Sequence, residues 1–396
     1  MPSDAIIFVP GIKGTKLVNT NLVNFDTIWS GIQSNFETIE DLEFTHPDEG
    51  VYYDEKTDTI IKAGEIEELA YAEFIRDLKT DKPVYIFNYD WRFSAAVNGY
   101  MLGQFVEYLI AKSRASREVE TFRKFDFITH SLGNFIVRNY LLNSGFSKVN
   151  KIIFTVPPFK GSIDIASVAV IGEGFFPNVK SKIRKLIRTF PGALELLPTY
   201  ESAGIFSSGT QDHSFFNIDH WQENLTNPKD SQAKEIAKKF SAALSTSDYT
   251  VKSGLQDLAT LSDAQRKRIL IITRTGYKTF QSMNIIRKKA GEPNNFFDFE
   301  NACITEDGDG RVPDVSSCCY HDKVTTLSIK DSIFYADYSH GFVLKDERLQ
   351  KIVNRFLMSS PAKFNWKIPG NTVKQVTGLR KRPYKNTKLY YWTTVT

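Results

Sequence analysis

Cysteine is scarce: the 396 residues hold three, Cys303, Cys318 and Cys319, an odd number with two of them adjacent. Neighbouring cysteines make poor partners for each other, so no disulfide framework is expected, and a reducing, cytoplasmic chain is the simplest reading. Their spacing around His321 lacks the paired C-x-x-C arrangement of a zinc site, so no metal is expected either. Long apolar runs are also missing, and nothing approaches the roughly 20 residues that a membrane-spanning helix requires. The opening residues, MPSDAIIFVPG, place no basic stretch ahead of an apolar one, so no secretory signal is expected. No sign of charge dominates: 50 Lys+Arg against 46 Asp+Glu give a formal net charge of +4, too mild to argue for a nucleic-acid partner. Internal repeats and low-complexity segments are absent.

A large core is possible, because 41% of the residues are hydrophobic and 13% aromatic. The length exceeds one minimal domain and suggests a core with an insertion, or two domains. The most informative stretch is residues 125–143, FDFITHSLGNFIVRNYLLN. Phe125, Phe127, Ile128 and Thr129 make a β-branched and aromatic run of strand length. Beyond Ser131 and Gly133 the period changes, with Ile136, Val137, Tyr140 and Leu141 at helical spacing. A serine where a buried strand becomes a helix has the geometry of a nucleophile elbow, although Thr129 stands where the usual G-x-S-x-G has its first glycine.

Residues 5–9 (AIIFV) form a continuous apolar run that ends at Pro10-Gly11 and reads as a buried parallel strand. Further strands are expected at 84–87, 152–156, 269–273 and 324–329, and helices where Ile66 to Leu78, Met101 to Ala111 and Glu347 to Leu357 keep helical spacing. This alternation predicts an α/β fold with a mostly parallel central sheet and helices on both faces. The expected layout is a first core part over residues 1–160, a cap or lid insertion over 161–265, a second core part over 266–360 and a basic, aromatic tail over 361–396. The insertion should lie over the C-terminal edge of the sheet, where ligands bind in such folds. The tail reads either as an extra hairpin or as a solvated basic strip.

An elbow serine needs a base, and the base needs a carboxylate. Of six histidines, His340 alone follows the last core strand and precedes the last helix, which puts it at the edge expected for Ser131. Asp309, between Gly308 and Gly310, suits a tight loop that aims one carboxylate, with Asp307 and Asp314 as rivals. Two oxyanion donors are expected, the amide of Leu132 after the nucleophile and that of Ile12 in the PGIKGT loop.

Six blocks occur together in order: VPGIKGTKL at 9–17, NYDWR at 88–92, THSLGN around Ser131, PPFKGS at 157–162, FPGALELLP in the insertion and GDGRVP around Asp309. In these the chain resembles the lecithin:cholesterol acyltransferase family of α/β-hydrolases, which includes lysosomal phospholipases and diacylglycerol acyltransferases. The resemblance implies an α/β-hydrolase fold, a catalytic set of Ser131, Asp309 and His340, and an oxyanion hole of the Ile12 and Leu132 amides. The chain lacks the paired cysteines of the secreted members, in keeping with an intracellular form.

Within the insertion, Val179, Ile183, Leu186, Ile187 and Phe190 share one helical face, and Lys180, Lys182, Arg184, Lys185 and Arg188 fill the other. With Phe175 and Phe176 as an apolar tip, this reads as a lid that docks on anionic membrane; the competing reading is an ordinary cap helix. The expected function is a serine-dependent lipid acyl hydrolase or acyltransferase that needs no cofactor and meets a lipid ester at a membrane surface. The alternatives are a hydrolase of soluble esters and a non-catalytic protein that keeps the fold.

Overall fold

The computed structural model describes residues 4–20, 26–29, 39–43, 53–54, 59–78, 80–116, 121–173, 177–201, 203–206, 213–287, 295–331, 340–360, 363–370 and 372–379. Its centre is a seven-stranded sheet of β1 (Ala5–Val9), β2 (Val84–Ile86), β3 (Phe125–His130), β4 (Val149–Thr155), β5 (Ile269–Thr275), β6 (Thr325–Lys330) and β7 (Val373–Gln375). The spatial order is β7-β6-β5-β4-β3-β1-β2, parallel throughout except that β7 runs antiparallel to β6. Each strand expected from the sequence is present. The seventh lies in the tail, so part of that segment completes the sheet edge; its basic residues from 380 onward lie outside the described residues.

Seven longer helices accompany the sheet: α1 (Glu68–Arg76), α2 (Ala95–Ala115), α3 (Gly133–Ser144), α4 (Ile163–Val170), α5 (Pro177–Ile187), α6 (Ser231–Ser253) and α7 (Glu347–Met358). Strand side chains alternate between faces, so each strand feeds two cores. Ile6, Phe8, Ile128 and Ile153 pack with Phe74 of α1 and Leu349, Ile352 and Val353 of α7. Ile7, Phe127, Ile152 and Phe154 point the other way, into a larger core with Leu102 and Val106 of α2 and Ile136 and Val137 of α3. Burial on both faces is why the strands read as unbroken apolar runs. Among the described residues no helix is long and apolar enough to cross a membrane.

Several elements differ from expectation. Ile66 closes a strand rather than starting α1, Leu69 is 54% exposed, and Tyr71 turns inward in its place. Between β1 and α1 lies a four-stranded antiparallel sheet of Thr15–Asn19, Asp26–Trp29, Tyr53–Asp54 and Thr59–Ile66. After β5 comes a hairpin, Thr279–Arg287 with Asn295–Thr305, which pairs with the short strand Gly204–Phe206. Its register shifts at Ser282 break the alternation that would have revealed it. The 23-residue α6 was also hidden, because Phe240 and Leu244 share its buried face with Ala237, Lys239, Ala243, Ser247 and Thr250.

Candidate active site

β1 is flanked by β2 on one side and β3 on the other, so the chain reverses direction across the sheet at β1. The crevice beyond such a switch point is where α/β sheets bind ligands. Register pairs Val9 with Thr129, which brings the loop after β1 against the turn after β3. Ser131 occupies that turn with φ at +50°, a left-handed conformation costly for a side chain and typical of an elbow serine. Its own amide is held by the Thr155 carbonyl at 3.2 Å. Two glycines make the close approach possible. A Cβ at Gly133 would stand 2.5 Å from the Val9 carbonyl oxygen, and one at Gly11 would stand 2.9 Å from the Ser131 Cβ.

The unusual Thr129 is accommodated by a buried polar cross-link. Its hydroxyl donates to Asn134 Oδ1 at 2.6 Å, while the Asn134 amide nitrogen donates to the Ser131 and Thr155 carbonyls. A glycine would leave Asn134 Oδ1 without that donor.

Far along the chain, two loops deliver the other candidate groups. His340 Nε2 lies 2.8 Å from Ser131 Oγ, and His340 Nδ1 lies 2.7 Å from Asp309 Oδ2. Asp309 is 1% exposed; its second oxygen accepts the Arg311 and Val312 amides at 3.0 and 2.7 Å. Asp309 is therefore aimed by its own turn, and Thr279 at the start of the hairpin accepts the Gly310 amide at 2.9 Å. A buried ion cluster fixes the segment that carries His340. Arg274 of β5 pairs with Asp331 at 2.5 Å and with Asp346 at 2.7 Å, one before and one after His340 in sequence. With a neutral imidazole, Nδ1–H donates to Asp309 and Nε2 is left to accept the serine hydroxyl.

The loop after β1 is held from outside. Tyr89 donates its hydroxyl to the Pro10 carbonyl at 2.8 Å, and the Trp91 indole donates to the Thr15 carbonyl at 3.0 Å. This gives the NYDWR block a physical role, with its Asp90–Arg92 ion pair buried at 2.6 Å behind it. Among the described residues, neither the Ile12 nor the Leu132 amide donates to another group of the chain.

Tyr71 is the residue that the sequence did not reveal. Its hydroxyl accepts the Gly11 amide at 3.2 Å and donates to His130 Nδ1 at 2.8 Å; His130 Nε2 in turn donates to the His340 carbonyl at 2.9 Å. A carbonyl can only accept, so His130 is the Nε2–H tautomer. Burial pushes its pKa down to about 3, which keeps it neutral. One tyrosine thus links the loop after β1, the turn after β3 and the backbone of the candidate base. Nothing in its local pattern distinguishes it from a core aromatic.

The site opens into a cavity of about 590 Å³ lined by Ser131 and His340 together with Ile12, Ile165, Val168, Val179, Ile183 and Ile187. That volume and apolar lining suit an acyl chain.

The sequence profile of the lecithin:cholesterol acyltransferase family matches residues 77–324. The chain belongs to this family. Membership marks it as a lipid-acting hydrolase or acyltransferase. The matched span contains Ser131 and Asp309, whereas both the loop with Ile12 and His340 lie outside it. Among curated proteins, none matches the sequence significantly. Similar solved structures include Tle4 in the Tle4–Tli4 complex, at 13% identity and TM-score 0.56, covering 92% of this chain and 99% of that one. The lipase BlEst2 of Bacillus licheniformis follows at 11% identity and TM-score 0.35, covering 87% of this chain and 89% of its own. The lin2722 product of Listeria innocua has 13% identity and TM-score 0.36, covering 92% of this chain and 100% of its own. The fold is that of the α/β-hydrolases.

The five basic residues expected on the outer face of α5 do not behave as a set. Lys185 is exposed, and Lys180, Lys182 and Arg184 are half-buried. Arg188 is a correction: it lies just beyond α5, is 6% exposed, and donates to the Ala169 carbonyl at 2.7 Å because that end of the segment packs onto α4. Phe175 and Phe176 lie outside the described residues. The apolar face of α5 is buried, with Val179, Ile183 and Ile187 lining the cavity.

Proposed function

We propose that the protein is a serine-dependent lipid acyl hydrolase or acyltransferase that works through an acyl-enzyme on Ser131. The observation that carries this reading is the hydrogen-bonded series Ser131, His340, Asp309, whose first two members line a largely apolar cavity. Ser131 Oγ attacks the ester carbonyl while His340 Nε2 takes its proton, and the imidazolium that forms faces the Asp309 carboxylate. The Ile12 and Leu132 amides hold the oxyanion, and donors aimed there are worth about 10²–10³-fold each in related chemistry. Collapse of the tetrahedral intermediate breaks the ester C–O bond, and His340 returns its proton to the leaving alcohol. Water or a lipid alcohol, activated by the same imidazole, then takes the acyl group and restores Ser131. Neither half of the cycle calls on a cofactor.

Phospholipids fit as substrates through family membership and the cavity lining. In this reading α5 is a lid whose apolar face covers the acyl site, and whose Lys180, Lys182, Arg184 and Lys185 meet anionic lipid when the enzyme sits as a peripheral protein on a cytoplasmic membrane face. Each such residue near an anionic surface contributes about 1 kcal/mol.

A fluorophosphonate probe tests the mechanism. The wild type is expected to label and Ser131→Ala to stay unlabelled, with turnover lowered about 10⁴-fold or more. Labelling of the alanine variant would refute the assignment. Mass spectrometry of products from a mixed membrane extract identifies the lipid and the acceptor. Esterase activity confined to soluble esters would favour the non-lipid alternative.

A further inference from the structure

Lys13, Asp164, Glu173 and Arg311 line the same cavity as Ser131. Lys13 directly follows Ile12, the candidate oxyanion residue, and Arg311 lies two residues past Asp309. Glu173 joins these two cations. One of its oxygens pairs with Lys13 Nζ and the other with Arg311 Nη2, at 2.8 Å in the second case. The other terminal nitrogen of Arg311 faces Asp164 at 2.5 Å. The side chains are partly open to solvent, from 24% exposure for Asp164 to 46% for Arg311. Lys13, followed by Arg311, holds the Glu173 carboxyl well below the usual carboxylate range, so it stays ionised.

Partly exposed pairs add little to stability. A structural role therefore gives no reason for cations from the two loops beside the reacting carbonyl to converge on one carboxylate. We propose that Lys13 and Arg311 form a subsite for the head-group phosphate of the lipid ester, and that Glu173 occupies it as an internal stand-in which the substrate displaces.

Charge balance favours this assignment. The two cations and the two carboxylates, Glu173 and Asp164, cancel. Moving Glu173 out leaves one uncompensated positive charge, which a phosphodiester, carrying one negative charge, restores to neutrality. A neutral glyceride does not. The Arg311 fork suits two phosphate oxygens, and Lys13 supplies a point charge from the oxyanion side. Glu173 lies between α4 and α5, in neither helix, so its displacement breaks no helix or strand hydrogen bond of those elements. The acyl chain of the same molecule would run along Ile165, Val168 and Ile183.

The proposal rests on the acyl-enzyme reading above, and the experiment separates the two. The full chain is assayed in mixed micelles on phosphatidylcholine and on diacylglycerol with the same acyl chains; fluorophosphonate labelling reports the serine independently. Charge-assisted bonds of this kind correspond to about tenfold or more in affinity. Lys13→Ala and Arg311→Ala are each expected to raise KM for phosphatidylcholine about tenfold relative to that for diacylglycerol. Arg311→Lys should recover part of the loss. Glu173→Gln is expected to act in the opposite direction and lower KM for phosphatidylcholine, because the internal competitor is weakened.

A purely structural cluster predicts the same direction for all four variants. The proposal is overturned if Glu173→Gln raises KM for both lipids, or if the Lys13 and Arg311 variants affect both lipids equally. Inorganic phosphate is expected to compete only weakly. If it instead blocks both lipids equally, the site takes free phosphate and the head-group assignment fails. Variants that affect both lipids equally while labelling stays intact refute the subsite alone, whereas absence of labelling in the wild type refutes the acyl-enzyme reading.

Discussion

Replacing Tyr71 with phenylalanine removes one oxygen atom and leaves almost everything else in place. The ring stays packed on Phe8, whose centroid is 5.2 Å away, so little apolar burial is lost. The cost falls on two buried groups. The Gly11 amide loses its acceptor and His130 Nδ1 its donor, and Tyr71 and His130 are both only 3% exposed. A buried polar group left without a partner costs about 1–3 kcal/mol, so two of them, partly relaxed, should lower stability by about 2–4 kcal/mol. The kinetic effect should also be large for an isosteric change away from the reacting atoms. Gly11 precedes Ile12, and a shift of about 1 Å in a positioned donor can cost about 10²-fold. We expect kcat on p-nitrophenyl butyrate to fall about 10- to 100-fold with KM nearly unchanged. Urea unfolding followed by circular dichroism gives the stability change in the same preparation. The exposed Tyr108, converted to phenylalanine, is the control. If Tyr71→Phe keeps kcat within about twofold and stability within about 0.5 kcal/mol, Tyr71 does not hold the loop after β1 in place.

Three further outcomes follow from the geometry. Gly133→Ala pushes a methyl group to 2.5 and 2.6 Å from the Val9 and Pro10 carbonyl oxygens, and should cost about 1–3 kcal/mol in thermal unfolding as well as turnover; a neutral result would mean that β1 and the elbow are not rigidly apposed. Asp309→Asn should reduce kcat about 10³- to 10⁴-fold, while Asp307→Asn and Asp314→Asn change it far less; comparable losses at either rival would reassign the acid. Glu195 supplies the pH dependence. It is fully buried against the first residue of α2, accepting the Ala95 amide at 2.9 Å, and burial pushes its pKa up to about 8 from 4.5. A raised folded-state value favours the protonated form, so this contribution to stability is full below pH 4.5 and is lost as pH rises through about 8. Glu195→Gln does not ionise, and its melting temperature should gain on the wild type between pH 5 and 9. A constant difference would show that Glu195 ionises freely in the fold.

How far the sequence could be read depended on how local each signal was. The central strands were legible because burial on two faces leaves an uninterrupted apolar run, as in AIIFV of β1 and ILII at the start of β5. His340 was legible by chain order, since it follows the last parallel strand and precedes α7. The hairpin after β5 and the helix α6 were not, because bulges disturb the first and small or polar residues outnumber Phe240 and Leu244 on the buried face of the second. The helical spacing from Ile66 to Leu78 does not single out Tyr71, which is buried and faces the site, from its neighbour Leu69, which faces solvent.

The α/β class and the family could be read along the chain, because each rests on periodicity or on residues close together in it. Which groups touch came from the fold. It set the Tyr71–His130 link, the Arg274 cluster that braces the His340 segment, the burial of Arg188, and the meeting of Lys13, Glu173 and Arg311. Those contacts span from 19 to 160 residues of chain. A contact between side chains that far apart leaves no local period behind; it exists because the sheet order brings loops from distant strands to one rim.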